Sequence, residues 1–184
     1  MTKYDTLTVD IVRQLLDYDP KSGVFRWRKR AVKMFADGPR QNNACATWNS
    51  RYAGNVAGTP DKDNYLQINI FKKQYKAHRL AWFIQTGSWP EGDIDHANCD
   101  PIDSRLANLR AATRSQNHAN KGTRADNTSG RKGVSWDKSR RKWVAHIGRN
   151  GRIYHLGRFN SAEDASASYS EAAQRLYGEF ARTA

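Results

Sequence analysis

The chain has 184 residues and a formal net charge of +13, a length for one or two small domains with modest cores. Its two cysteines, Cys45 and Cys99, are too few for a disulfide framework or a four-cysteine zinc set, and are expected to be reduced thiols. No apolar run reaches membrane-spanning length, and the opening MTKYDTLTVDIV lacks the basic-then-apolar pattern of a secretory leader, so the charge points to a polyanionic partner.

In chain order, TVDIVRQLLDY repeats apolar residues at helical spacing and predicts a short amphipathic helix capped by Thr8. GVFRWRKR is strand-like and ends in charge. Residues 31–52 are polar and irregular and predict a loop, one that orders on DNA. YLQINIF alternates Leu66, Ile68 and Ile70 against Gln67 and Asn69, the pattern of a half-buried strand. QYKAHRLAWFIQTG passes from strand into a helix stopped by Gly87 and Pro90, and His78 at its start either steadies a phosphate or serves the helix end.

IDHANCDPIDSRLANLRAATRSQN, residues 94–117, carries the densest chemistry. Ile94 to His96 read as a strand, ANCDP as a turn, and Leu106 and Leu109 as apolar pins that turn the loop inward. LRAA then reads as a second strand, and Thr113 with Gln116 forms a capping box that starts a helix at about Arg114. In such a β-β-α hairpin the helix start folds back over the first strand, so Asp95 and Asn117 can offer two oxygens to one hard cation. Magnesium held this way keeps open positions for phosphate oxygens, and a neutral His96 beside it can take a proton from an attacking water. Arg105 and Arg110 either clamp phosphate or pair with Asp100 or Asp103. A zinc set drawn from Cys99, His96, His118 and Cys45 has poor spacing.

ANKGTRADNTSGRKG has the composition of a linker or of an extended DNA-tracking segment. RRKWVAHIG and RIYHLGRF follow as strands joined through Asn150-Gly151, the pair a type I′ turn requires. The last helix is capped by Ser161, with Glu163 and Asp164 at its positive end and Gly178 at its close. Alternation puts Trp143, Ala145 and Ile147 on one side, with Tyr154 and Leu156 matching them, against the helix residues Ala165, Tyr169, Ala172, Ala173 and Leu176. The other side carries Lys142, His146 and His155, flanked by Arg140, Arg149 and Arg152. A sheet covered on one face can set the other into the major groove.

KGVSWDKSRRKWVAHIGRNGRIYHLGRFNSAEDASASYSEAAQRLYGEFA resembles the ethylene-response-factor (APETALA-type) DNA-binding domain through GV, KWVAHI, LGRF, SAEDA and YGEFA. The resemblance implies docking through the sheet face, with Lys132, Lys142 and His146 at matching positions. Ser135, Gly148, Ile153 and His155 depart from the plant pattern, so the plant base preference is not carried over. The DNA contacts expected are Lys132, Trp136, Lys138, Arg140, Arg141, Lys142, His146, Arg149, Arg152 and His155, with Arg105 from the preceding motif.

DHANCDPIDSRLANLRAATRSQN resembles the HNH endonucleases of the phage and intron homing branch, and the segments before residue 90 are similar to the leading part of such proteins. The resemblance implies Asp95 and Asn117 as metal ligands, His96 as general base and Asn108 as the residue holding the loop that positions His96. One Mg²⁺ or Mn²⁺ per active centre is expected. The fold class expected is α+β: an amino-terminal helix and strand region (1–90), a small β-β-α-metal core (91–121), a linker (122–130) and a three-stranded antiparallel sheet packed on one helix (131–184). The expected activity is sequence-directed hydrolysis of double-stranded DNA, with no membrane or obligate protein partner, by a phage-encoded protein in the bacterial cytoplasm. The alternatives are a DNA-binding regulator with a vestigial nuclease centre and an RNA-binding protein. The second lacks the exposed aromatic platform of single-strand readers.

Overall fold

The structure, a computed structural model, describes residues 7–183. The first six residues of the amino-terminal region expected over 1–90 lie outside it, as does Ala184. The fold is α+β, with helices and small antiparallel sheets, and the chain forms two compact units that meet after Arg110.

In the first unit, α1 (Val9–Leu15) starts where Thr8 Oγ1 accepts from the Ile11 N–H, and it buries Val12 and Leu15. Strands β1 (Leu16–Tyr18) and β2 (Phe25–Trp27) form a hairpin whose turn is held by Asp19, which accepts from the Lys21 and Ser22 amides. Residues 31–52, expected as a loop, instead contain a 3₁₀ turn (Val32–Met34) and helix α2 (Gln41–Tyr52). The helix has no strong apolar periodicity to announce it, because an arginine–tryptophan stack, not a row of aliphatic residues, holds it down.

Strands β3 (Thr59–Pro60), β4 (Leu66–Ile70) and β5 (Lys73–Lys76) form an antiparallel sheet in that order. Ile68 and Ile70 are fully buried, as the alternation predicts. Helix α3 (Ala77–Thr86) follows β5 directly and ends at Gly87, whose φ of 79° is the left-handed conformation a helix terminus favours. Leu80, Ala81 and Phe83 join Val12, Leu15, Phe25, Ile68, Ile70, Ile94 and Leu109 in one core. Strand β6 (Asp93–His96) pairs with β7 (Leu109–Ala112).

The second unit opens with helix α4 (Arg114–Asn120), started by the expected capping box: Thr113 accepts from Gln116 N–H, and the Gln116 side chain accepts from Thr113 N–H at 2.8 Å. Strands β8 (Val134–Asp137), β9 (Lys142–Arg149) and β10 (Arg152–Phe159) form a sheet in the order β10-β9-β8, covered by α5 (Ala162–Tyr177). Its core joins Ile147, Tyr169, Ala172, Ala173, Tyr177 and Phe180 to Ala112 and Ala119, so α4 packs as part of this unit.

Glycines 133 and 151 share a left-handed backbone, with φ of 69° and 76°. A Cβ on Gly151 meets nothing within 4 Å, whereas one on Gly133 would lie 2.2 Å from the Tyr169 ring and 2.7 Å from the His146 carbonyl. Gly151→Ala is expected to cost only the left-handed strain, roughly 1–2 kcal/mol. Gly133→Ala should add an overpacking cost of roughly 1–3 kcal/mol. Equal melting temperatures for the two variants would contradict this packing.

Candidate nuclease site and nucleic-acid interface

Strand β6 carries Asp95 and His96 side by side. Both are buried, at 4% and 5% exposure. Burying a carboxylate requires a partner, and Arg110 provides one: its Nε and Nη2 each lie 2.8 Å from Asp95 Oδ2. His96 meets the His78 ring edge-on, with centroids 4.8 Å apart, and Tyr65 lies against both rings at 5.5 and 5.9 Å. Tyr65 is itself placed by Asp61, which accepts from the Tyr65 and Asp63 amides and from the Lys76 ammonium. Those bonds, the lysine's first, hold the Asp61 carboxyl well below the usual carboxylate range. The Lys76 ammonium also lies over the Tyr65 ring.

Desolvation lowers the pKa of His96, outweighing the opposite pull of Asp95, Asp103 and Asp100. His78, 7% exposed, is pushed down to about 3 by burial first and then by neighbouring positive charge. Both rings are therefore neutral near pH 7. His78 sits in the first turn of α3 and its Nδ1 makes no hydrogen bond among the described residues, so the ring packs against His96 and does not serve the helix end.

The loop from Ala97 to Asn108 is folded by its own side chains. Asn108 is buried; its Oδ1 accepts from the Asn98 N–H at 3.0 Å, its Nδ2 donates to the Asp103 carbonyl at 2.9 Å, and its own carbonyl accepts from Ala97. Asp103 takes three side-chain contacts from Arg105, at 2.5 to 3.0 Å, which lower its carboxyl to about 2. Arg105 makes the expected ion pair with Asp103, whereas Arg110 pairs with Asp95 and not with the expected Asp100 or Asp103. The hairpin β1–β2 supports the loop from below: the Tyr18 hydroxyl donates to the Ser104 carbonyl and Pro20 accepts from the Leu106 amide.

Asn117 lies in the first turn of α4, half-buried, and His118 beside it is exposed. In the second unit α4 is tied to the sheet. Ser115 Oγ accepts from the Asn150 amide and contacts the Tyr177 hydroxyl, which in turn donates to the Gly148 carbonyl. The Lys132 ammonium, expected on DNA, donates to the Ala119 and Lys121 carbonyls at the end of α4. Among the described residues no group of three or more His, Cys, Asp or Glu is arranged to hold a metal. The donor set expected from the sequence is the Asp95 carboxylate and the Asn117 amide, two oxygens whose chemistry suits a hard cation.

The register of the sheet sorts its faces. Val134 pairs with Ala145 and Trp136 with Trp143, so Trp136 shares the side of the buried Val134, with its ring 5.1 Å from Trp143. It was expected on DNA; alternation puts it on the side of Val134, yet at 44% exposure it stays open to solvent. The outward side carries Ser135, Lys142, Val144, His146, Gly148 and Ile153, and His155 pairs with His146. Ile153 is 76% exposed, the largest apolar exposure of the described residues. Tyr154 pairs with Ile147 but stays exposed, and a bulge between His155 and Gly157 breaks the alternation after it. Lys138, Arg140, Arg141, Arg149 and Arg152 are exposed, Arg140 also pairing with Asp137. A cavity of about 1060 Å³ lies within this unit, lined in part by Arg114, Lys121, Arg124, His146, Arg149 and Arg152.

The HNH endonuclease family profile matches residues 75–119, and the AP2 domain profile matches residues 129–179. Protein 3.8 of Escherichia phage T7 is 35% identical over 116 residues, 61% of this chain and 95% of that protein. The chain belongs to the HNH endonuclease family and carries an AP2 DNA-binding domain. A protein of Acanthamoeba polyphaga mimivirus named as an HNH endonuclease is 33% identical over 88 residues, 48% of this chain and 44% of its own. No solved structure matches the chain. The HNH match begins at Tyr75, so it includes His78 and α3 together with the β6–β7 motif. No described helix is long and apolar enough to cross a membrane.

Tyr65 and Asp61 were not singled out in the sequence, because neither belongs to a periodic or motif pattern; only the fold places them beside the histidines. A neutral buried His78 has a consequence for acid stability. Below pH 6.5 the unfolded chain binds a proton that the folded one refuses until about 3. Stability contributed by the neutral ring is therefore lost as pH falls across that window. His78→Phe is expected to flatten the loss of melting temperature between those pH values. An unchanged slope would show that His78 is charged in the folded HNH protein.

Proposed function

We propose that the chain is a sequence-directed DNA endonuclease of the homing type, using one divalent cation and His96 to hydrolyse a phosphodiester. The observation that carries this reading is the buried Asp95–His96 pair on β6, one member held by Arg110 and the other edged by His78 and Tyr65. Asp95 and Asn117 would hold one Mg²⁺ or Mn²⁺; their pairing is supported by the spacing of the motif and by the oxygen chemistry of the two donors. The ion supplies positive charge where the phosphate and the leaving oxygen gather negative charge.

His96, kept neutral by burial, accepts the proton of the attacking water. As the water oxygen bonds to phosphorus, the bond to the 3′ oxygen breaks, and that oxygen takes a proton from solvent, leaving a 5′-phosphate and a 3′-hydroxyl. Asn108 acts through the loop it fastens, holding the strand end that presents His96. Lys142, His146 and His155 are proposed to face the major groove, which admits a β-ribbon. Lys138, Arg140, Arg141, Arg149 and Arg152 would track phosphates. Arg105 keeps half its side chain exposed for the same purpose. Lys132 is assigned instead to the support of α4, while Trp136, exposed on the edge strand β8, stays a proposed DNA contact. The phage relative supports a phage-encoded protein, whose proposed place of action is the bacterial cytoplasm.

One observation favours a second reading, a DNA-binding regulator with a silent nuclease centre: Arg110 already neutralises Asp95. Supercoiled plasmid bearing a target selected from random sequence separates the two. The unaltered protein should nick it in Mg²⁺ or Mn²⁺ and stop on chelation. His96→Ala should lower the rate by roughly 10²–10⁴-fold, the usual worth of a general base, with duplex affinity unchanged. Tight binding of the selected target without nicking would favour the regulator.

A further inference from the structure

Helix α2 stands outside everything assigned so far: it precedes the HNH match and belongs to no pattern read from the sequence. Its inner side is fixed. The Arg30 guanidinium lies 3.8 Å over the Trp48 ring, with Trp27 packed edge-on against Trp48 and Tyr52 beside it. Asn49 accepts from the Arg30 amide at 2.8 Å and donates to its carbonyl at 2.9 Å, and the buried Cys45 thiol also reaches that carbonyl. The segment that reads as a loop is thus a rigidly seated helix.

Its outer side is unusual for a solvated surface. Asn43, Thr47 and Ser50 recur at i, i+4 and i+7, with Ala46 between them, and all four are exposed. A helix that met only water would gain from Glu, Lys or Gln at these places. Asn, Thr and Ser are weaker helix formers, because their side chains compete for backbone hydrogen bonds. The same short side chains present donors and acceptors close to the helix axis. Asn can read adenine with both groups of its amide, Ser and Thr bond to several bases, and Ala suits a thymine methyl. The surrounding charge is mainly positive: α2 contains no acidic residue, Asp37 beside its start accepts from Gln41, and the exposed Lys29, Lys33, Arg40 and Arg51 form no ion pair among the described residues. Twelve residues make a rod of about 18 Å.

We propose that α2 is a second DNA-reading element, laid in the major groove of the duplex with Asn43, Thr47 and Ser50 towards base edges and Lys29, Lys33, Arg40 and Arg51 towards phosphates. The proposal rests on the DNA endonuclease reading above and assigns part of its sequence preference to the first unit, apart from the AP2 sheet. Duplex RNA is not the partner, since its deep, narrow major groove does not admit a helix.

The test is a binding-site selection from random duplex DNA with the full chain, without divalent cation, followed by affinity measurements over a salt series. The triple variant Asn43→Ala, Thr47→Ala, Ser50→Ala should melt no lower than the unaltered protein, alanine being the better helix former. It should lose preference at a contiguous subset of the selected bases, by roughly tenfold to a hundredfold for each paired contact removed. Arg40→Ala with Arg51→Ala should weaken binding on all sequences alike and reduce the salt slope by about two. A triple variant that keeps the full selected site and affinity, with an unchanged salt slope in the arginine pair, overturns the proposal while leaving the nuclease reading intact. Failure of the unaltered protein to bind any duplex overturns both.

Discussion

The candidate site depends on one buried amide. The segment from Ala97 to Arg105 contains no regular secondary structure, and a loop of this length ordinarily costs entropy to hold in one shape. Asn108 removes that freedom by bonding to both ends of the turn at once, Asn98 on one side and Asp103 on the other. Every polar group of its amide side is occupied by backbone, where a buried unpaired group would be costly. The left-handed Cys99, whose amide donates to the His96 carbonyl, completes the reversal. His96 is thus oriented by geometry fixed twelve residues further along the chain, and leucine or alanine at Asn108 could not reproduce it.

A second constraint concerns charge. Asp95 and Asp61 each pair with a cation, Arg110 and Lys76, through one carboxylate oxygen, and three aromatic rings cluster beside them. Desolvation keeps His78 and His96 neutral, helped at His78 by neighbouring positive charge and opposed at His96 by Asp95. The ring cluster is also why His96 can be buried and still face polar chemistry: its neighbours are an imidazole and a phenol, not aliphatic side chains.

Much of this was legible in the sequence. The capping box at Thr113 and Gln116, the Asn150-Gly151 turn, the Ser161 cap and the alternation of Ile68 and Ile70 each follow from a local rule, and local rules survive folding. Helix α2 was not legible, because its anchor is a cation lying on tryptophan and its outer face is polar, so no apolar period exists to detect. Trp136 shows a different limit: the count from Val134, two residues earlier, gives its face of the sheet, yet its side chain stays exposed. Lys132 shows the limit of charge as a guide: a lysine can finish a helix as readily as it can meet a phosphate.

The boundary between the compact units does not coincide with the boundary between the families. It falls within β7, so the final helix of the HNH motif is folded with the AP2 sheet, pinned by Ser115, Tyr177 and Lys132. The two parts are consequently not interchangeable cassettes. Replacing the DNA-reading module by another, or grafting it elsewhere by cutting at the apparent linker, would strip α4 of its packing partners. Any lineage that recombined these modules had to inherit, or rebuild, the seam along with them.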